Sequence, residues 1–321
     1  MIVGQDKAVE AFVNAWNSRR LHHAWLLVGP KGVGKASFAR MAATRVLAEA
    51  AGPPVGLPGL EAQPDHPIAR LLAAGSHPDF RWLERLERPT GGLARNISVD
   101  QVRSLGDLLA VTPSMSPWRA IVIDAADDLE ASGANALLKM LEEPPANTLF
   151  FLISHAPGRL LPTIRSRCRR LDFVRLGDDA MTSLLSLSFP GEKSDKIARL
   201  VEFSNGSIGR AMDIAALDLA PLESEALAII RQGDRDNSRR SKLASALGSK
   251  AAADRYAAFL ELVPGLIAQE AVKLDGEARG RALDVYARAR ETVAIAPRLS
   301  LDPAATVFQL GGILASVALK P

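Results

Sequence analysis

Three observations predict a parallel α/β nucleotide-binding core followed by an all-helical second half. Short continuous apolar runs alternate with amphipathic stretches through roughly the first 175 residues, the pattern of strands covered by helices on both faces. A glycine-rich loop joins the first of these runs to a long helical stretch. After the segment RRLDFVRL, strand signals stop, and from Gly177 onward Ala and Leu recur at helical spacing.

In chain order, Ala24–Val28 (AWLLV) is a strand that runs into the loop VGPKGVGKAS, and KASFARMAATRVLAEA continues as a helix. Gly52–Pro67, dense in Gly and Pro, reads as a loop or insertion. DFRWLER suggests a strand, and ISVDQVRSLGDLLA a strand end, an N-cap at Asp100 and a helix with Val102, Leu105 and Leu109 on one face. WRAIVIDAADDL holds a buried strand. The helix over 135–143 sets Ala134, Leu137, Leu138 and Leu141 on one side before Pro144 and Pro145 stop it, and TLFFLIS is one more buried strand. NGSIGRAMDI reads as a turn and a helix start. The expected division is a core over 1–174, a small helical domain over 175–216 and a helical domain over 217–321.

Composition narrows the function classes. The 321 residues are 48% hydrophobic and 23% charged, and no apolar run reaches bilayer length, so no membrane partner is expected. MIVGQDKAVE lacks the pattern of a secretory signal, and the single cysteine, Cys168, rules out an intrachain disulfide and a Cys-rich metal site, which makes the cytoplasm the natural compartment. A net charge of +3 is small for this length, so any nucleic-acid contact must be local.

The loop carries the first chemistry. In G-x-x-x-x-G-K-[ST], backbone N–H groups surround phosphates, the lysine reaches the outer phosphates and the hydroxyl ligates magnesium. Gly29, Gly32, Gly34 and Lys35 fit, but Ala36 stands where the hydroxyl belongs, and Ser37 is turned about 100° away on a helix. Asp124, ending an apolar strand, suits a magnesium-supporting carboxylate, yet the next residue, where a water-activating glutamate often stands, is Ala125. Asp127 and Asp128 read as exposed acids at a helix start. With hydroxyl and base both missing, no meaningful turnover is expected.

The second is Ser166-Arg167-Cys168. Arg167 reads either as a surface cation or as a finger that enters a neighbouring subunit's nucleotide site, a role worth about 10³ to 10⁵ in rate. Cys168 reads as a packing residue. Arg165, Arg167, Arg169 and Arg170 form a basic cluster at a loop end, either a solvated or interface face or a contact to DNA phosphates. His22 and His23 have no Cys or acidic cluster beside them and read as surface or packing residues; Trp16, Trp25, Trp82 and Trp118 lie among apolar neighbours and read as core or interface anchors.

The block ANALLKMLEEPPANTLFFLISHAPGRLLPTIRSRC, with VGQDKAVEAF, LHHAWLLVGPKGVGKASFA, HPDFRWLE and ISVDQVRSL, resembles the delta-prime subunits of bacterial DNA polymerase III clamp loaders, a family of AAA+ proteins. The resemblance covers about the first 175 residues and implies an AAA+ core, a small helical lid and a C-terminal helical collar. It implies a rather rigid, non-motor member of a hetero-pentamer, partnered by ATPase motor subunits and a delta subunit, acting on the sliding clamp and on primed DNA. On that reading Arg167, with Ser166 and Cys168, supplies the finger. Gly29, Gly32, Gly34, Lys35, Ser37 and Asp124 form a degenerate nucleotide site that requires no cofactor and retains the option of holding ATP or ADP.

Two departures follow. Many members carry a four-cysteine zinc module after the first helix, where this chain has Pro/Gly-rich sequence, so zinc is not expected. Motors often show G-S-x-R in the second domain; here Gly209 takes the arginine's place, with Arg210 one position later, and no nucleotide-sensing role is assigned to Arg210. The rival readings are a self-sufficient AAA+ ATPase motor, of a clamp loader or of a DNA-repair helicase-type complex, and a DNA-binding module that works without ATP.

Overall fold

Alternation along each strand builds two cores on one sheet. The computed structural model describes residues 2–88 and 93–318. Strands β1 (Ala24–Val28), β2 (Phe80–Leu83), β3 (Arg119–Asp124), β4 (Thr148–Ser154) and β5 (Arg169–Asp172) pair in the order β2-β3-β4-β1-β5, all parallel. Trp25, Leu27, Val122, Phe151 and Ile153 point to one face, where they meet Phe12, Phe38, Val46 and Phe173. Ala24, Leu26, Ile121, Ile123, Phe150 and Leu152 point to the other, against Val102, Leu105, Leu137 and Ile164. Burial on both sides is why these strands read as unbroken apolar runs.

The first face is covered chiefly by α1 (Asp6–Asn17), α2 (Lys35–Ala51) and α3 (Pro67–Ala73), a short helix opened by Pro67 at its first turn. The second is covered by α4 (Val99–Arg103), α5 (Leu105–Ala110), α6 (Ala131–Glu142) and α7 (Pro162–Ser166). The expected N-cap at Asp100 is corrected: Ser98 caps α4, its Oγ accepting from the Gln101 N–H at 3.3 Å while Gln101 Oε1 accepts from the Ser98 N–H at 3.1 Å. This reciprocal box satisfies two donors at once, which Asp100 inside the helix could not do. The expected strand end at Ile97 is a single parallel bridge to Leu129.

The loop over 52–66 is held by its surroundings. Arg45 on α2 donates to the carbonyls of Leu57 (2.5 Å) and Glu61 (3.0 Å), and Val55 and Leu60 sink into the first core.

By internal contacts the chain divides into two units, Met1–Arg210 and Ala211–Pro321. The first includes α8 (Asp178–Ser188) and α9 (Ser194–Ser204) with the sheet. Helix α10 spans Ile208–Ala216.

The second unit is helical: α11 (Ala220–Gln232), α12 (Ser238–Leu247), α13 (Ala253–Val272), α14 (Gly276–Leu299) and α15 (Pro303–Ala315). Leu222, Ile230, Phe259, Leu266, Val307 and Leu310 form its apolar interior. Gly311 lets α15 approach α12, since a Cβ there would lie 2.6 Å from that of Arg240. Arg231 grips Glu270 through two bonds of 2.8 and 3.0 Å, and buried Asp234 takes the Arg240 Nε at 2.9 Å. The last three residues of the expected domain lie outside the described residues. Among the described residues no helix is long and apolar enough to cross a membrane.

Candidate nucleotide loop and arginine finger

Backbone geometry makes the loop between β1 and α2 glycine-dependent. Gly32 and Gly34 have φ of 76° and 100°, in the left-handed region that side chains disfavour. Gly29 faces a different constraint, as a Cβ on it would lie 2.3 Å from the Phe173 carbonyl oxygen. Gly34 caps α2, and the first-turn N–H groups of this 17-residue helix begin at Lys35.

Lys35 is 3% exposed, and its ammonium donates to the carbonyls of Gly29 (2.6 Å) and Pro30 (2.5 Å). Burial pushes its pKa down to about 8, against the opposing pull of Asp124 and Asp127. The Asp124 carboxyl is raised, first by burial and then by Glu84. The loop, the lysine and the strand-end acid are therefore brought together as their sequence positions suggest.

The catalytic replacements are built into packing. The Ala36 methyl packs against the first core, and Ala125 is 6% exposed. Ser37 lies exposed one residue further along α2. The loop shape suits a phosphate, since α2 presents its N-terminus there, while the magnesium half of the site has one carboxylate and no hydroxyl at the expected place.

From its other side the loop is braced by residues 207–209. Ser207 Oγ donates to the Lys31 carbonyl at 2.9 Å, and the Gly209 N–H donates to the Gly32 carbonyl at 3.0 Å. A Cβ on Gly209 would lie 2.8 Å from the Gly32 Cα. The glycine that replaces an arginine of the G-S-x-R pattern is thus a position of backbone-to-backbone contact.

Two residues that sequence reasoning missed shape the rim. Asp127, expected to be an exposed acid, instead takes the Ser154 hydroxyl at 2.7 Å and the N–H groups of His155 and Ala156 at 2.5 and 3.3 Å, which ties the turn after β3 to the end of β4. His155 follows β4, and desolvation, followed by the charge on Lys35, pushes its pKa down to about 4. The signal for Asp127 was only its position three residues after Asp124.

The Ser166-Arg167-Cys168 motif divides its labour. Ser166 Oγ and Arg167 Nη1 both donate to the Thr163 carbonyl, at 3.1 and 3.0 Å, and Arg167 Nη2 meets Glu142 Oε1 at 2.7 Å. Arg167 closes α7 with its side chain 35% exposed. Cys168 packs on the second core, and burial pushes its thiol up to about 12, so it stays protonated. In the rest of the basic cluster, Arg170 pairs with Asp172 at 2.6 Å and Arg169 lies 5.0 Å over the Trp25 ring, while Arg165 is exposed.

The remaining singled-out residues make local contacts. His22 and His23 stack at 4.4 Å, each bonded to a carbonyl, Ala24 and Leu141 respectively. Trp16 meets Trp118 edge-on at 5.5 Å, and Arg40 covers Trp82 at 4.5 Å. Among the described residues no cluster of three or more His, Cys, Asp or Glu side chains is grouped to hold a metal ion.

Residues 4–177 match the family model described as DNA polymerase III, delta subunit. The DNA polymerase III subunit delta' of Pseudomonas aeruginosa is 37% identical over 190 residues, covering 58% of this chain and 53% of that protein. The subunit delta' of Bacillus subtilis is 30% identical over 216 residues, covering 67% and 60%. The chain thus spans little more than half the length of these relatives. The crystal structure of a DNA polymerase III gamma subunit-related protein from Thermotoga maritima superposes with a TM-score of 0.52 at 15% identity, over 96% of this chain and 99% of that one, a likeness of fold.

Proposed function

The chain belongs to the DNA polymerase III delta-subunit family, and from that premise we propose that it is a non-motor, delta-prime-type member of a clamp loader that acts on a neighbour's nucleotide through Arg167. Its AAA+ fold supplies the frame. The observation that carries the reading is the contrast between two sites on one unit. Its own loop has methyl groups where hydrolysis needs a hydroxyl and a carboxylate, while Arg167 stands half-exposed at the end of α7 with its guanidinium anchored.

In this mechanism Arg167 donates to oxygens of the γ-phosphate bound by the adjacent subunit and stabilises the charge that develops as the phosphoryl group transfers. Ser166 steadies the turn through Thr163, and Cys168 anchors it in the core. Gly29, Gly32, Gly34 and Lys35 would hold any bound ATP or ADP through backbone amides and one ammonium; such a nucleotide would contribute negative charge and contacts to loop shape. Asp124 is the acid at the strand end on the usual metal side, and Ser37 is set one residue beyond the usual hydroxyl. The assembly is a hetero-pentamer with motor subunits and a delta subunit, loading the sliding clamp on primed DNA. Exposed Val272, Leu283 and Leu299 on the second unit support a collar role for its helices.

The test is ATP hydrolysis by the reconstituted clamp loader with clamp and primed DNA, comparing wild type with Arg167→Ala after equal assembly is verified. A rate loss of about 10-fold or more at the adjacent site supports action in trans, and an unchanged rate overturns it.

A further inference from the structure

We infer that Glu142 is a positioning residue for Arg167: it fixes the guanidinium in the orientation that a neighbouring phosphate meets. The inference rests on the proposed trans role of Arg167. Three features of the chain carry it.

First, the guanidinium is held at both ends by different elements. Nη1 donates to the Thr163 carbonyl at 3.0 Å, in the helix that Arg167 closes, and Nη2 meets Glu142 Oε1 at 2.7 Å, at the end of α6. One bond would leave the planar group free to swing about its long stem; two set its plane. Second, the backbone that carries the carboxylate is fixed. Glu142 is the last residue of α6, whose Leu137 and Leu141 are buried in the second core, and Pro144 and Pro145 halt the chain two residues later. Third, the hold does not use up the arginine. A guanidinium has five N–H donors, and these contacts engage one on each terminal nitrogen, leaving capacity for phosphate oxygens.

The pair is 35% and 45% exposed, a setting in which an ion pair adds little stability. Its effect is on geometry, where misplacement of a charge-stabilising group costs rate steeply.

Steady-state ATP hydrolysis is measured for the reconstituted clamp loader with clamp and primed DNA, carrying wild type, Glu142→Ala, Glu142→Gln, Arg167→Ala or the double variant. Expected are a roughly 5-fold fall in kcat for Glu142→Ala with KM for ATP unchanged, recovery of most of the rate by Glu142→Gln, whose amide oxygen still accepts, and a double variant no slower than Arg167→Ala alone. Melting of the isolated chain is expected to stay within about 1 °C, which separates positioning from misfolding. Full activity of Glu142→Ala while Arg167→Ala is slow overturns the inference and leaves the trans role standing. Full activity of Arg167→Ala overturns both. A double variant slower than Arg167→Ala by the whole Glu142→Ala factor shows that Glu142 acts elsewhere and also overturns it.

Discussion

Replacing Gly209 by alanine should loosen the brace on the phosphate loop. The new Cβ would lie 2.8 Å from the Gly32 Cα and 3.5 Å from its oxygen, both backbone atoms that cannot rotate out of the way. Overpacking of this kind costs about 1–3 kcal/mol. Gly209 is the second residue of α10, so alanine returns at most about 1 kcal/mol of helix propensity. The net loss lies between about 0 and 3 kcal/mol, and its middle value of about 1–2 kcal/mol is a fall of roughly 2–8 °C for a unit of this size. Gly106 provides the control: it is the second residue of α5, with nothing within 4 Å of its would-be Cβ, and Gly106→Ala should be neutral or stabilising. Calorimetry reads the melting change, and hydrogen exchange at the Gly209 amide reads the loss of its 3.0 Å bond to Gly32. If Gly209→Ala melts at or above wild type and its amide stays protected, the contact is not the constraint argued for it.

Two titration predictions follow from burial. With its thiol pushed up to about 12, Cys168 should react with iodoacetamide at pH 8 on the order of 10³-fold more slowly than an ordinary cysteine, and a rate near the ordinary one would show the thiol to be open. Lys35 has a folded pKa of about 8 against 10.5 for the free side chain, so between those values the unfolded chain binds the proton more tightly and stability should rise with pH. Below pH 8 the penalty is fully present. Urea midpoints from pH 7 to 10 should show this rise in wild type and lose it in Lys35→Met; parallel profiles would remove burial of the charge as the cause.

The three inner strands were legible because they are buried on both faces, and TLFFLIS matches β4 residue for residue. The glycine loop and the Ser166-Arg167-Cys168 segment stood out as motifs because their residues are contiguous in the chain. What escaped depended on partners far away in sequence. Asp127 gained its contacts from N–H groups 28 and 29 residues on, and Glu142 its ion pair from an arginine in the turn after α7. Gly209 was visible only as a missing arginine, because the reason for a glycine there is Gly32, across the loop. The misplaced N-cap was a choice between neighbouring polar residues, decided by Gln101 three positions after Ser98.

The strand order has a consequence for how the chain is made. β1 is synthesised first, yet its two neighbours in the sheet, β4 and β5, begin at Thr148 and Arg169. At about 5–20 residues per second, the interval from the end of β1 to the start of β4 lasts roughly 6–24 s. During it, Ala24–Val28 leaves the ribosome with both edges open and no sheet to join. The bonds from Arg45 to Leu57 and Glu61, by contrast, span only 12 and 16 residues and can close as soon as those residues emerge. The nascent chain therefore acquires its first helices and their loop early and its sheet late. Strand β1 is the segment a ribosome-associated chaperone would have to shield longest.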